Sequence, residues 1–381
     1  MTWREVWARR LTRHSLSAPA PAARLAEVAG AVCGIHAQVM PAAEVSLGVR
    51  VAGVTRQDIR AALWDKRSLV KTYGIRGTVH LFPADELPLW MAALRACPPP
   101  DPKWLASKGL DMQQLDLLVS AVGDALDGQR LTLTQLGDAV VQRAGAWAGE
   151  ETAPAWGENW PRWRMALGAA AVAGRLCFGP NVGTAVTFVR ADQWAGPWHD
   201  MDPGAALAEI LRRYLHAYGP ATPRDFAQWF SIPAATARNA AATIADELEE
   251  VDVEGQKSFL LVADAAAEEP PVSESVRLLP HFDCYMIGCH PRAQLVPPAW
   301  AERVLPHGQA GPVPVLLVDG TVGGVWTRQA KGHRVELRVE PFTPLTSGQQ
   351  DLLEAEAGRI GEILEAAPAL TVGSVMVRPH L

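Results

Sequence analysis

The sequence predicts an α+β fold of three tandem winged-helix motifs plus a β-rich C-terminal cap, and three observations carry that prediction. Two or three short helical periodicities followed by a pair of alternating strands recur three times in series, and a plan repeated along a chain outweighs the same plan met once. After Glu269-Pro270-Pro271 the pattern changes to apolar and β-branched runs separated by turn signals. The 381 residues are 49% hydrophobic and 20% charged, which suits several modules with a large shared core and excludes a disordered chain.

The first module is assigned to residues 1–105. Helical spacing marks 22–33, 41–51 and 56–65, and alternation marks strands over 68–73 and 78–82 that turn through Gly74 and Gly77. The second, 106–200, has helices over 115–126, 132–143 (opened by a Thr132 cap) and 162–172, with a Trp-rich loop of Trp147, Trp156 and Trp160 before the last. Its strands, 175–178 and 185–189, are joined by Gly179-Pro180-Asn181-Val182-Gly183. The third, 201–268, is the clearest. A helix over 205–217 stops at Gly219-Pro220, and Thr222-Pro223 reads as an N-cap and first-turn proline opening a helix to Phe230. Ser231-Ile232-Pro233 turns into a helix over 234–247, and strands 250–253 and 258–262 close around Glu254-Gly255-Gln256. Helix, helix, turn, helix, hairpin is the winged-helix order. The fourth region, 269–381, reads as strands 276–279, 313–318, 321–326 and 335–339, with a tight turn at Asp319-Gly320, then a helix over 349–366 and a strand over 370–377.

Several function classes drop out. No apolar run of about 18 residues is present and the Arg-rich, amphipathic start lacks a secretory core, so no membrane partner is expected. The cysteines, Cys33, Cys97, Cys177, Cys284 and Cys289, are odd in number and mostly scattered, which predicts reduced thiols and a cytoplasmic, nucleoid-associated protein. No phosphate-binding P-loop, strand-linked G-x-G-x-x-G or G-x-S-x-G elbow occurs. From His281 to His290 five potential metal ligands fall within ten residues. Yet Cys284 and Cys289 are five apart and no second cluster completes a tetrahedron, so a buried strand and turn is preferred and no metal is expected. Asp283 is left as either a buried structural carboxylate or a site-facing one. A net charge of −6 argues against a nucleic-acid partner, but residues 1–80 hold twelve Lys/Arg against five Asp/Glu, a surplus of +7 that leaves −13 on the rest. Phosphate binding depends on the local patch, which this asymmetry permits.

The stretch Cys33-Gly34-Ile35-His36-Ala37-Gln38 follows an apolar helical run and sets two polar side chains two residues apart. In extended backbone those positions share a face, so His36 and Gln38 can aim at one point and hold a single water. The alternative is a His and a Gln at a helix end, each bonding a nearby carbonyl.

Gly34-Ile35-His36-Ala37-Gln38, then Tyr73-Gly74-Ile75-Arg76-Gly77-Thr78-Val79-His80-Leu81, resemble the AlkZ/YcaQ type of winged-helix DNA glycosylases. The likeness continues through Leu176-Cys177-Phe178-Gly179-Pro180 and Ala217-Tyr218-Gly219-Pro220-Ala221-Thr222-Pro223. It ends with Leu278-Leu279-Pro280-His281-Phe282-Asp283-Cys284-Tyr285 and Val318-Asp319-Gly320. The resemblance implies tandem winged helices around a concave DNA-binding face and excision of N7-alkylated purines, bulky genotoxin adducts and cross-links among them. The family's catalytic motif, a Gln, an aliphatic residue, then Gln or Asp, falls on His36, Ala37 and Gln38. Gln38 matches and His36 departs, which puts substrate range in question.

The residues suit that reaction. An N7-alkylguanine leaves as a neutral base and needs no general acid, so a site without paired carboxylates suffices. Gln38 can fix a water by hydrogen bonds, and a neutral imidazole at His36, with an ordinary pKa of about 6.5, can accept its proton. Arg76, between Gly74 and Gly77, is the first candidate for a phosphate contact and Lys71 the second, against an exposed wing arginine without a partner; His80 reads as a packed strand histidine. The expectation is therefore a monomeric, monofunctional glycosylase acting on double-stranded DNA with N7-alkylguanine lesions, without metal or organic cofactor. A winged-helix transcriptional regulator and a non-catalytic genotoxin-binding protein are the alternatives; the regulator is disfavoured because no heptads or dimerisation helix are present.

Overall fold

The computed structural model describes residues 1–155, 158–196, 198–266, 274–306 and 311–376. Helices and short sheets alternate in an α+β fold, and the chain packs as two compact units, Met1–Arg60 with Ala208–Leu381, and Ala61–Leu207. No helix among the described residues is long and apolar enough to cross a membrane.

The amphipathic start is a helix, α1 (Trp3–Arg13), opened by a capping box of Thr2 and Glu5. It buries Trp3 and Val6 against Val253. The N-terminal amine donates to the Asp252 carbonyl at 3.0 Å, which ties the start of the chain to a hairpin residue 251 positions downstream. The helix expected over 22–33 is shorter. A 3-10 turn (Ala22–Arg24) leads into α2 (Leu25–Ala31), and left-handed backbone at Cys33 (φ 63) and Gly34 (φ 91) turns the chain out of it. Two extended residues form β1 (Ile35–His36) before α3 (Met40–Gly48), which carries Pro41 in its first turn; α4 (Arg56–Trp64) follows. Gly48 packs closely on the C-terminal helix, since a Cβ there would lie 2.8 Å from Ile363.

In the unit Ala61–Leu207, β2 (Leu69–Tyr73) and β3 (Val79–Pro83) pair antiparallel with Thr72 opposite His80. The two glycines expected to turn this hairpin divide the work. Gly77 (φ 66) is left-handed, as is Arg76 itself (φ 59). Gly74 instead gives space, because a Cβ there would meet Phe82 at 2.8 Å. The helix Leu87–Arg95 was not anticipated: Leu87 to Leu94 are all buried, and Arg95 at its end is its one polar residue, so no polar stripe runs along it. Asp111 with Gln114 and Thr132 with Gln135 form the capping boxes of helices Met112–Ala125 and Leu133–Ala144. The Trp-rich stretch is not a loop: strands Glu151–Ala155 and Glu158–Pro161 pair across it, with Ala153 opposite Trp160. Trp156 lies outside the described residues. The helix expected over 162–172 begins as a 3-10 turn (Arg162–Ala166) and becomes α only over Leu167–Val172; strands Cys177–Val182 and Ala185–Val189 form a further antiparallel hairpin of this unit.

Beyond it, Pro203–Tyr218 is followed by Pro223–Phe230, opened by the Thr222–Asp225 capping box and ended by left-handed Ser231 (φ 64). The next helix, Ala234–Thr243, stops short of Glu247 because the chain tightens into a 3-10 turn (Ala245–Glu247) before the hairpin of Leu248–Val253 and Gln256–Leu261. The Glu269-Pro270-Pro271 linker lies outside the described residues. The C-terminal sheet runs Val276–Leu279, Val315–Val318, Thr321–Lys331, Arg334–Pro341, Ala367–Val372. Its first four strands are antiparallel, and the last is parallel to its neighbour because the helix Ser347–Leu364 carries the chain back across the sheet. The turn at Asp319 (φ 51) and Gly320 (φ 84) is where Asp-Gly predicted it, while the last strand starts and ends earlier than 370–377, and Val377 lies outside the described residues.

Candidate active site

The expected extended run through His36-Ala37-Gln38 stops at His36. Gln38 falls in a bend and Val39 is already the N-cap of α3, so strand alternation no longer governs where the two side chains point. His36 is buried, at 7% exposure, whereas Gln38 is exposed. Ring packing holds the histidine: its imidazole stacks on Phe282 with centroids 4.8 Å apart and planes at 25°.

Phe282 begins the turn that the sequence could not resolve. Asp283 is fully buried, N-caps the helix Cys284–Gly288 by accepting from the Tyr285 amide at 2.9 Å, and takes two bonds from Arg50, at 2.8 and 2.7 Å. The Ser46 hydroxyl donates to the same carboxylate at 2.6 Å, and Arg50 donates back to the Ser46 carbonyl at 2.6 Å. A bidentate, fully hydrogen-bonded pair of this kind is what allows two charges to sit in a dry interior. Burial works to lower the Arg50 pKa, but its surroundings, the adjoining Asp283 carboxylate first among them, leave the guanidinium raised. Of the two readings left open for Asp283, the buried structural carboxylate is the one observed. Its neighbours Cys284 and Cys289 are buried thiols, pushed up by burial to about 12 and about 11. Among the described residues no three metal-ligating side chains converge.

A cleft of about 670 Å³ adjoins the motif from both sides of the chain: Val39, next to Gln38, and His281, next to Phe282, line it together with Ala42, Thr327, Arg328 and Arg338. Arg328 donates to the Pro41 carbonyl in the first turn of α3 at 2.8 Å, and burial holds its guanidinium below the usual range.

In the other unit, Lys71 and Tyr73 share a face of β2 and both meet Phe178; the Lys71 ammonium lies 4.8 Å from that ring's centroid. Arg76 is half-buried at the hairpin apex. His80 is buried at 3% exposure, stacked on Phe82 at 5.5 Å, with Nδ1 3.0 Å from the Thr78 carbonyl, which is the packed strand histidine expected. Arg50 and Ser46 were missed because nothing in an apolar helical run marks a residue whose partner lies 233 positions away.

The family model described as DNA glycosylase AlkZ-like matches residues 29–363, and so spans the motif, the Phe282–Asp283 turn and most of the chain. The chain belongs to the AlkZ-like DNA glycosylase family. It is similar to the interstrand DNA cross-link repair glycosylase of Streptomyces sahachiroi, at 32% identity over 367 residues, which cover 94% of this chain and 95% of that protein. The solved structure of the Streptomyces sahachiroi DNA glycosylase AlkZ superposes with a TM-score of 0.80 at 29% identity, covering 98% of this chain and 100% of that one. This family member is thus a DNA glycosylase, a hydrolase of N-glycosyl bonds.

Proposed function

We propose that this glycosylase excises N7-alkylated purines from double-stranded DNA as a monofunctional, monomeric enzyme of base excision repair and antibiotic self-resistance, with bulky genotoxin adducts as substrates. Its Streptomyces relative is named for interstrand cross-link repair, and we carry that substrate over as well. The observation that carries the reading is the family match spanning a motif in which Gln38 is open to solvent and His36 is held by ring packing. Three successive stretches of helices ending in a hairpin support three winged-helix modules, 1–105, 106–200 and 201–268, with 269–381 as the β-rich cap. Room beside the motif supports bulk: the cleft falls in the range of about 300–1,000 Å³ that holds drug-sized ligands.

In an N7-alkylguanine the ring is already cationic, so the C1′–N9 bond breaks with its electron pair moving to N9 and the base leaves neutral. The water oxygen bonds to C1′, and its proton passes to His36. Gln38 orients that water by donating and accepting hydrogen bonds. Positioned proton transfer of this kind is worth about 10²–10⁴ in rate. Lys71 and Arg76 contact backbone phosphates.

The test is an oligonucleotide duplex with a single N7-alkylguanine, scored for alkali-labile abasic sites. The wild type forms them; Gln38→Ala slows their formation about 10²-fold or more with DNA affinity nearly unchanged, and His36→Gln retains more activity than His36→Ala because an amide restores the water contact. Undiminished excision by Gln38→Ala removes that residue from the mechanism. No abasic site with the wild type would leave a regulator or a genotoxin-binding protein.

A further inference from the structure

We infer that Phe282 is a positioning residue for His36, clamped by the Arg50–Asp283–Ser46 cluster so that the imidazole is held in one orientation. Four observations meet here. The two rings stack at 4.8 Å and 25°, so turning the imidazole out of its plane would collide with the phenyl face. The phenyl ring has nowhere to retreat, because Phe282 is 5% exposed and a Cβ added to Gly311 would lie 2.6 Å from its Cε1. Phe282 has φ 58, a left-handed backbone that a bulky aromatic residue adopts only where its surroundings impose it, and such strain gathers at functional sites. What imposes it is next door: Asp283 is fixed by two bonds from Arg50 and one from Ser46.

Those anchors close a loop. Ser46 lies in α3 and Arg50 just beyond it, and α3 begins directly after the motif. The backbone from His36 through α3, the ion pair to Asp283, and the stack of Phe282 on His36 therefore form one circuit, each part fixed by the next. Gln38 lies on the same circuit, between His36 and α3. Reaction geometry is sensitive at the ångström scale, so a circuit that fixes the imidazole acts on rate rather than on DNA binding. The inference rests on the reading of His36 as the acceptor of the water's proton.

The experiment is a double-mutant cycle of single-turnover excision with the full-length protein on the N7-alkylguanine duplex. Phe282→Leu is expected to slow excision about 10- to 100-fold, with DNA affinity held within about twofold. Phe282→Tyr, which keeps the aromatic face, recovers most of the rate. In a His36→Gln background, where no imidazole remains to be oriented, Phe282→Leu costs little more. An equal fractional loss in both backgrounds would show a general structural role and overturn the inference, as would full activity of Phe282→Leu. Should Phe282→Leu not fold, Gly311→Ala displaces the ring without removing it and is expected to give the same background-dependent loss; the same two outcomes would overturn the inference. Full activity of His36→Ala is a separate result, since it removes the proton-accepting role itself, whereas a slow His36→Ala beside a fast Phe282→Leu removes only the positioning.

Discussion

His14 is completely buried, edge-on to Tyr218 at 4.8 Å and to Tyr285 at 5.2 Å. Among the described residues neither of its ring nitrogens has a hydrogen-bond partner of good geometry, and only a weak influence of the Ala217 backbone favours its charged form. Burial first, then the guanidinium charges of Arg50 and Arg10, hold its imidazole well below the ordinary 6.5. Above pH 6.5 both folded and unfolded chains carry a neutral His14, and as pH falls below it the unfolded chain takes up the proton first. Stability from this residue is thus lost as pH falls, at up to about 1.4 kcal/mol per pH unit. Urea unfolding of wild type and His14→Phe from pH 7.5 to 5 measures it, and the variant's stability should fall less steeply over that window. Parallel slopes would mean that His14 takes up its proton equally in both states. Asp264 acts in a lower window. Burial would raise its carboxyl, but His216 and then Arg13 and Arg9 hold it below 3.8, so its contribution is present above that value and lost in stronger acid.

At the scale of the element, α3 is fixed along its whole length by arginines. Arg328 holds the Pro41 carbonyl at 2.8 Å, Arg60 pairs with buried Glu44 at 2.7 Å, and Arg359 donates to the Gly48 carbonyl at 2.8 Å. Arg50 joins the same helix to Asp283. A helix that follows a reactive motif gains from such anchoring, since any slide along its axis would move Gln38. Removing one member of the buried pair leaves the other charge without compensation. Arg50→Met or Asp283→Ala alone should therefore cost about 3–5 kcal/mol, and the double variant far less than the sum. Chemical denaturation of the four proteins decides it, and additive losses would show that the two charges are not coupled.

For the whole molecule the relevant quantity is where charge lies, since a net −6 opposes DNA while the first 80 residues carry a surplus of cations. If Lys71 and Arg76 meet phosphates, alanine at either position lowers the log–log salt slope of DNA affinity by about one. Anisotropy titrations between 50 and 200 mM salt, near the usual range of about 0.15 M, provide the measurement. An unchanged slope would assign that cation to its local packing alone, for Lys71 the face of Phe178.

The sequence by itself determined what neighbouring residues dictate. The caps at Thr132 and Thr222, the Asp319-Gly320 turn and the hairpin around Gly255 are local signals, and their elements lie within a few residues of where those signals put them. Helix Leu87–Arg95 stayed hidden because it is buried over nearly its whole length and carries no polar stripe, Arg95 at its end being its one polar residue. At the candidate site, the motif itself could be read because its residues are adjacent in the chain. Only the tertiary structure brought Phe282 onto His36 and Asp283 onto Arg50, since pairings between distant residues are set by packing and charge burial and leave no mark in local spacing.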